Sequence, residues 1–316
     1  QKYFSAEQVE ALALGIYNIE SNRGFIIGDQ TGIGKGRVVA GMIRYAILNK
    51  KIPVFVTQMP DLYGDIMRDL NDINMGNVRP LMTNNNASVP LDAEALRWFS
   101  EKQDIEIQIT DVQQEIKERA ESLLGSQLEN KSVEEQERLI KQFVSTTTDP
   151  EILADKQLIT ELRAEIPERR GKFLDTPNRE PHERALAEMI NQNSIGSYDV
   201  IFTTYDQMNP KSSGKPKRDS SGRRVTPEPE LYPRHEFLDH FINDNTMLIM
   251  DEAHNIGRGP EKDLVTRGLI ARSYINKAGG VFYSSATFAK NPEVLDAYNK
   301  TDLGLAFDNP QQLVDA

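Results

Sequence analysis

A chain of 316 residues can bury a large core and still carry an insertion or second module, which excludes a peptide or a stapled miniprotein. With 37 Lys plus Arg against 48 Asp plus Glu, the formal charge of -11 argues against a whole-surface polyanion binder and leaves only local basic patches for that purpose. Zero cysteines exclude a disulfide framework, a thiolate zinc site, an iron-sulfur centre and a cysteine nucleophile, and four His leave little for a histidine metal site.

No apolar stretch approaches the roughly 18 to 20 residues that a bilayer span needs, and no charged-then-apolar signal opens the chain, so a soluble protein without a membrane partner is expected. The chain starts at Gln1 and closes on Asn309-Pro310-Gln311-Gln312-Leu313-Val314, which reads as a helix start with no helix behind it. The expectation is a piece of a longer polypeptide.

In chain order, Ser5 to Glu20 reads as a helix and Phe25-Ile26-Ile27-Gly28 as a short buried strand. A glycine loop, a helix from about Gly36 to Asn49 and the strand Ile52 to Thr57 follow. Runs without alternation, such as Pro53-Val54-Phe55-Val56, indicate strands covered on both faces, as in a parallel sheet. Residues 84–195 differ. From Leu91 to about Glu168 the chain is rich in Glu, Gln, Lys, Leu and Ile, with Ile109, Val112, Ile116, Ala120 and Leu123 at helical steps. Asp149-Pro150 and Gly171 are breaks, so a helical hairpin or small bundle is expected between 1–83 and 196–316. It serves either as a solvated strut or as a docking arm for a protein partner.

Beyond it come Tyr198 to Phe202, Thr246 to Met250 and Gly280 to Tyr283, three more strands that end in polar residues. That placement matters because open α/β sheets bind ligands beyond the carboxyl ends of their strands. Between the first two, Asn209 to Arg234 holds Lys211, Lys215, Lys217, Arg218, Arg223 and Arg224 against Asp219. This basic loop is either disordered or a grip on nucleic-acid phosphates.

The strongest motif is Gly28-Asp29-Gln30-Thr31-Gly32-Ile33-Gly34-Lys35-Gly36-Arg37, after a strand and before a helix. Glycines there let backbone N–H groups surround phosphate oxygens, the helix start adds positive potential, and Lys35 reaches the terminal phosphates. Gly36 stands where a Ser or Thr usually coordinates Mg²⁺, so metal binding must lean on another group or on water. A glycine turn that merely joins strand to helix is the alternative.

A second constellation, Asp251-Glu252-Ala253-His254, follows an apolar strand. Asp251 suits a Mg²⁺ water shell, Glu252 suits the orientation or deprotonation of an attacking water, and His254 suits a relay. Third, Ser284-Ser285-Ala286-Thr287 ends a strand in hydroxyls able to bond the acidic loop.

In this order the three motifs resemble the first motor lobe of superfamily 2 helicases and translocases, and more finely the Strawberry notch-like helicases with related phage and plasmid helicase-methyltransferases. The resemblance rests on Gly34-Lys35-Gly36-Arg37, Phe55-Val56-Thr57 with Asp61-Leu62-Tyr63 and Asp65-Ile66-Met67-Arg68-Asp69-Leu70, Tyr198-Asp199-Val200-Ile201 with Thr203-Thr204-Tyr205, Asp251 to Asn255, and Ser284 to Lys290. It implies an α/β fold, a parallel-sheet P-loop NTPase (RecA-like) lobe with a large helical insertion. It also implies ATP and Mg²⁺ as cofactors, DNA as partner, and tolerance of Gly after the lysine. The implied setting is the cytoplasm of a bacterial or phage-infected cell, or a eukaryotic nucleus.

Residue by residue, the resemblance makes Gln8 a reader of adenine, although Ser5 to Gln8 equally fits a capping box. It places Thr57, Thr203, Thr204 and Tyr205 on the nucleic-acid side, where hydroxyls hold phosphates without reading sequence. It gives Ser285, Ala286 and Thr287 a coupling role. Arg68 is either a phosphate contact or a salt-bridge partner of Asp65 or Asp69, and Lys290 either a contact or a helix-start lysine. A working motor needs a second lobe with an arginine finger worth about 10³ to 10⁵ in rate, and too few residues follow Thr287 to build one. The chain alone is therefore expected to bind ATP and hydrolyse it slowly. The rival reading is a degenerate lobe kept as an interaction scaffold.

Overall fold

The computed structural model describes residues 3–28, 34–129, 131–212, 217–218, 220–225, 228–257, 264–285 and 292–303. In chain order its elements begin α1 (Ala6–Glu20), β1 (Gly24–Ile27), α2 (Lys35–Leu48), β2 (Ile52–Thr57), α3 (Leu62–Asp72), β3 (Pro80–Met82) and β4 (Ser88–Pro90). The helices α4 (Ala93–Leu124), α5 (Val133–Thr146) and α6 (Pro150–Glu165) follow, then β5 (Phe173–Asp175), α7 (Arg179–Gln192) and β6 (Val200–Thr204). Last come β7 (Lys217–Arg218), β8 (Arg224–Val225), α8 (Pro233–Phe241), β9 (Thr246–Asp251), α9 (Arg267–Lys277) and β10 (Gly280–Ser284). Contacts divide the chain into two compact units, 1–91 with 173–316, and Asp92–Lys172.

The first unit is an α/β lobe around a six-stranded sheet in the order β1-β10-β9-β2-β6-β3, parallel throughout. The apolar runs are strands for the reason their sequence gives: Val54, Val56, Ile201, Phe202, Leu248, Ile249 and Phe282 are all fully buried, and only a sheet covered on both faces buries every side chain of a strand. One face packs Phe237, Leu238 and Phe241 of α8 and Tyr274 and Ile275 of α9 against Val54, Leu248 and Val281. On the other, α2 lies over β2 and β9. There Phe202 meets Phe55 edge-on at 5.4 Å and Tyr63 of α3 at 5.0 Å.

Register matters more for the site. Ile27 of β1 is level with Ser284 of β10, and Ser284 with Asp251 of β9, while Thr57 of β2 is level with Thr204 of β6. The residues expected to carry chemistry therefore finish on one edge of one sheet.

The second unit is all helical. Each helix starts on a side-chain cap: Asp92 accepts from the Ala95 amide at 2.8 Å, Ser132 forms a capping box with Glu135, and Asp149 accepts from the Ile152 amide at 3.1 Å with Pro150 in the first turn. Ile109, Val112, Ile116 and Ala120 form its core with Ile140, Ile152, Ile159 and Leu162. Leu124 joins this core in place of Leu123, which is exposed at the helix end. The unit is narrower than 84–195: β4 and β5 pair antiparallel, Val89 opposite Leu174, in the lobe, so the chain leaves and returns at one point. Helix α7 also belongs to the lobe, where Leu186 packs with Leu81 and Ile201. Its sparse apolar positions look in sequence like those of the insert. Among the described residues no helix is long and apolar enough to cross a membrane.

Candidate functional site

The site begins where β1 hands over to α2. Asp29, Gln30, Thr31, Gly32 and Ile33 lie outside the described residues; the description resumes at Gly34, which caps α2 in the left-handed region at φ 78°. A residue with a Cβ is strained there, and that Cβ would also meet Gln8 Nε2 at 2.6 Å. No side chain caps this helix end, so its positive end faces the loop, with Lys35 as the first helical residue.

Gln8 forms the capping box that its spacing from Ser5 allows. Its amide N–H donates to Ser5 Oγ at 3.3 Å and its Oε1 accepts from the Ser5 amide at 3.0 Å, which completes the capping box of α1. Its Nε2 also donates to the Gly34 carbonyl at 3.4 Å. The cap presents Gln8 at the end of the phosphate loop.

Gly36 is explained by α3. A Cβ at position 36 would fall inside van der Waals contact with Asp69 Oδ2. Around it, Arg37 pairs with Asp72, and Arg68 with Asp65 at 3.1 Å. Asp69 itself makes no hydrogen bond or ion pair among the described residues; burial raises its pKa, against the lowering influence of Arg68 and Arg37. A cavity of about 100 Å³ is lined by Gly36, apolar Val39, Phe55, Leu62 and Ile66, and the carboxylates of Asp65, Asp69 and Asp251.

Asp251 closes that cavity from the sheet side. Burial, and then the charge of Glu252, push its carboxyl up to about 6, although Ser284, Thr57 and the Glu252 amide favour the ionised form. Thr57 Oγ1 donates to Asp251 Oδ2 at 3.3 Å, and the Tyr205 hydroxyl donates to the Asp251 carbonyl at 2.8 Å. Glu252 then takes a left-handed conformation, φ 47°, where a non-glycine residue carries strain, and it opens a short 3₁₀ turn, Ala253–Ile256. Alternation along the strand and this turn give the two acids separate directions.

The third motif is wired to the second. The Ser285 amide donates to the Ile27 carbonyl of β1 at 3.2 Å, and Ser285 Oγ lies 3.0 Å from His254 Nδ1, which is 3.3 Å from Glu252 Oε2. Asn255 Nδ2 holds the other side, 3.3 Å from His254 Nε2 and 3.1 Å from the Glu252 carbonyl. A continuous path thus runs from the end of β1 through Ser285 and His254 to Glu252. Ala286 and Thr287, and Lys290 beyond them, lie outside the described residues.

The hydroxyls expected to face nucleic acid are engaged elsewhere. Thr57, Thr203, Thr204 and Tyr205 are all buried. Thr83 Oγ1 and Thr203 Oγ1 bond at 2.6 Å, and Thr204 Oγ1 accepts from Asn84 Nδ2 at 3.1 Å. These contacts fasten strand ends to one another because a hydroxyl buried at a sheet edge must find an internal partner. Arg68 takes the salt-bridge alternative with Asp65. In the basic loop, Lys211 pairs with Glu230 at 3.0 Å, and Lys217–Arg218 run antiparallel to Arg224–Val225. Lys215 and Asp219 are outside the described residues.

Among the described residues no three His, Asp or Glu side chains could hold a metal by themselves. The donor set, one half-buried carboxylate with a second beside the uncapped helix end, fits a hydrated Mg²⁺ shared with phosphate oxygens. The residues present therefore fit a Mg-nucleotide. Sequence reasoning missed Asp69 and the Thr57 bond to Asp251; the Arg68-Asp69 pair stood in a quoted segment, with no local sign of what it faces.

Comparison with known proteins bears on the N-terminal part of this lobe. Residues 2–110 match the family model of the P-loop containing NTP hydrolase pore-1 domain. The chain is 37% identical over 83 residues to the protein strawberry notch homolog 1 of Gallus gallus, which covers 24% of this chain and 7% of the relative. It is 36% identical over 83 residues to the Homo sapiens homolog, covering 24% of the chain and 6% of that protein. The matched region thus spans a small part of the relatives' length. A parallel sheet, a strand–loop–helix joint opening on Lys35, and these matches support a P-loop NTPase lobe, whose N-terminal part is similar to the Strawberry notch proteins.

Proposed function

We propose that this lobe binds Mg-ATP beyond the ends of β1, β10 and β9 and, joined to a second helicase lobe, couples ATP hydrolysis to movement on DNA. The observation that carries the reading is the level alignment of Ile27, Ser284 and Asp251, with Ser285 bonded to both neighbouring motifs. Lys35 and the first-turn amides of α2 would hold the β- and γ-phosphates. Gln8, at the Gly34 carbonyl, would read the base. Mg²⁺, when bound, neutralises charge on the phosphate oxygens. Asp251 would hold its water shell, Glu252 would take a proton from the attacking water, and His254 with Ser285 would report that state to the end of β1.

DNA would lie on the lobe's far strand ends, through backbone amides rather than the buried hydroxyls, and closure of the two lobes would grip and release it. The test is equilibrium binding of a fluorescent ATP analogue with Mg²⁺ to the chain and to Lys35→Ala. Expected is binding that the substitution abolishes; equal binding, or none by either, sinks the reading. DNA that changes neither affinity nor hydrolysis once the second lobe is supplied would remove the motor role.

A second reading, a scaffold, is favoured by the helical unit. A groove of about 660 Å³ there is lined by Ile116, Ile140 and Ile159 and by a rim of Lys117, Lys141, Lys156 and Arg163 against the single acid Glu137. On a chain of net charge -11 that rim would suit an acidic segment of a protein partner. Partner binding that persists in Lys35→Ala while nucleotide binding is absent in both proteins would favour it.

A further inference from the structure

The phosphate loop lacks a hydroxyl at position 36, and α3 supplies the reason. The direction in which a side chain at Gly36 would point is filled by Asp69 Oδ2. The other acids of α3 on that side are matched by cations, Asp65 with Arg68 and Asp72 with Arg37. Asp69 feels Arg68 and Arg37 electrostatically, but neither forms an ion pair with it among the described residues. It shares with Asp251 and the Arg68-paired Asp65 a cavity of about 100 Å³, room for a few waters at roughly 30 Å³ each.

We infer that Asp69 stands in for the missing loop hydroxyl, its carboxylate facing the divalent cation of the bound nucleotide from the side opposite Asp251. This rests on the Mg-ATP reading of the same site. The exchange is chemically unequal. A hydroxyl is neutral, whereas a carboxylate repels bare triphosphate and attracts it only through the cation, so Asp69 makes nucleotide binding more metal-dependent than a serine or threonine would. Gly36 is then required not for a turn but for space, and the two positions form one unit across two helices. A merely structural acid near a helix start would stabilise α2 without altering metal dependence.

The test measures affinity for a fluorescent ATP analogue in Mg²⁺ and in EDTA, with thermal melting to confirm the fold. Asp69→Ala and the shape-preserving Asp69→Asn are expected to weaken the Mg²⁺ form and tighten the metal-free form. The ratio of the two affinities should fall about 10- to 100-fold. Adding Gly36→Ser to Asp69→Ala, where the hydroxyl now has room, should restore most of that ratio. Gly36→Ser alone must displace the Asp69 carboxylate and should not raise it. A ratio unchanged in both Asp69 variants overturns the inference, as does a double variant that recovers nothing. If the unmodified chain binds nucleotide in neither condition, the Mg-ATP reading itself has failed; Lys35-dependent binding with an Asp69-independent ratio sinks the inference alone.

Discussion

The lobe and the helical unit solve the problem of burial differently. In the lobe, strands such as Leu248 to Met250 are fully enclosed, and the buried polar groups stand at strand ends where they bond to one another. In the helical unit the core is thin: Ile109, Val112, Ile116, Ile140 and Ile159 each keep 7 to 9% of their surface exposed, and a groove opens among them. Its three helices each start on a side-chain cap, as α1 and α9 of the lobe also do. The buried strand-end polar bonds thus belong to the lobe, while the helical unit rests on a thinner apolar core.

The largest effect that would sharpen this contrast is chemical. Glu252→Gln keeps the strand end and its neighbours while removing the proposed base, so hydrolysis, read as phosphate release, should fall about 10²- to 10⁴-fold with nucleotide affinity retained. A similar loss from a substitution in the helical groove, such as Lys141→Gln, would break the assignment of chemistry to the lobe alone.

Core truncations come next. Phe202→Ala empties the contact of Phe55 and Tyr63 and should cost about 3–5 kcal/mol, whereas Ile140→Ala beside an open groove should lie near the lower end of about 2–5 kcal/mol. Hydrogen exchange should quicken across β2, β6 and β9 in the first variant and only within α4 to α6 in the second. Uniform acceleration in either would mean the two regions open together.

Much of the lobe was legible because its signals are local. Unbroken apolar runs such as Thr246 to Met250 are read as parallel strands, and glycines with a lysine between strand and helix are read as a phosphate loop, without knowledge of anything distant. What escaped is what depends on distant partners. Asp69 meets position 36 across two helices, Thr57 meets Asp251 from 194 residues away, and β4 meets β5 across the whole insert. A threonine at a strand end looks the same in sequence whether it faces a ligand or a neighbouring strand, so burial alone distinguished the two for Thr203 and Thr204.

Acid should separate the regions next. All four histidines lie in the lobe. His182 Nε2 faces the Thr83 carbonyl at 3.2 Å, and burial holds its pKa below the usual imidazole value; burial and then Arg234 do the same to His235, whose Nδ1 accepts from the Tyr232 amide at 3.0 Å. The unfolded chain takes these protons near 6.5 and the folded lobe resists them, so their stabilisation is full above 6.5 and lost as pH falls through the lower folded values. Asp251 works in the opposite sense. Its folded pKa of about 6 exceeds the ordinary 3.8, so the lobe gains stability as pH falls across that interval. Denaturation midpoints of Asp251→Asn between pH 7.5 and 5.5 should therefore drop more steeply than those of the parent, and adding His182→Gln should flatten them. Identical slopes in all three proteins would remove the histidine account.

The smallest effect tests the caps. Ser132→Ala and Thr266→Ala each remove a hydroxyl that accepts from an amide three residues on, at 3.3 Å and 3.2 Å, and each should cost about 0.5–2 kcal/mol. Their consequences should differ in place. Helix α5 buries only Ile140, so without Ser132 its first turn has nothing to hold it and should fray, with fast amide exchange at residues 133–137. Helix α9 buries Ile270, Ala271, Arg272, Tyr274 and Ile275, and Arg272 is further bound to Asp296, so its first turn should stay protected when Thr266 is lost. Fraying of both, or of neither, would show that packing and capping are shared more evenly between the two regions than their burial implies.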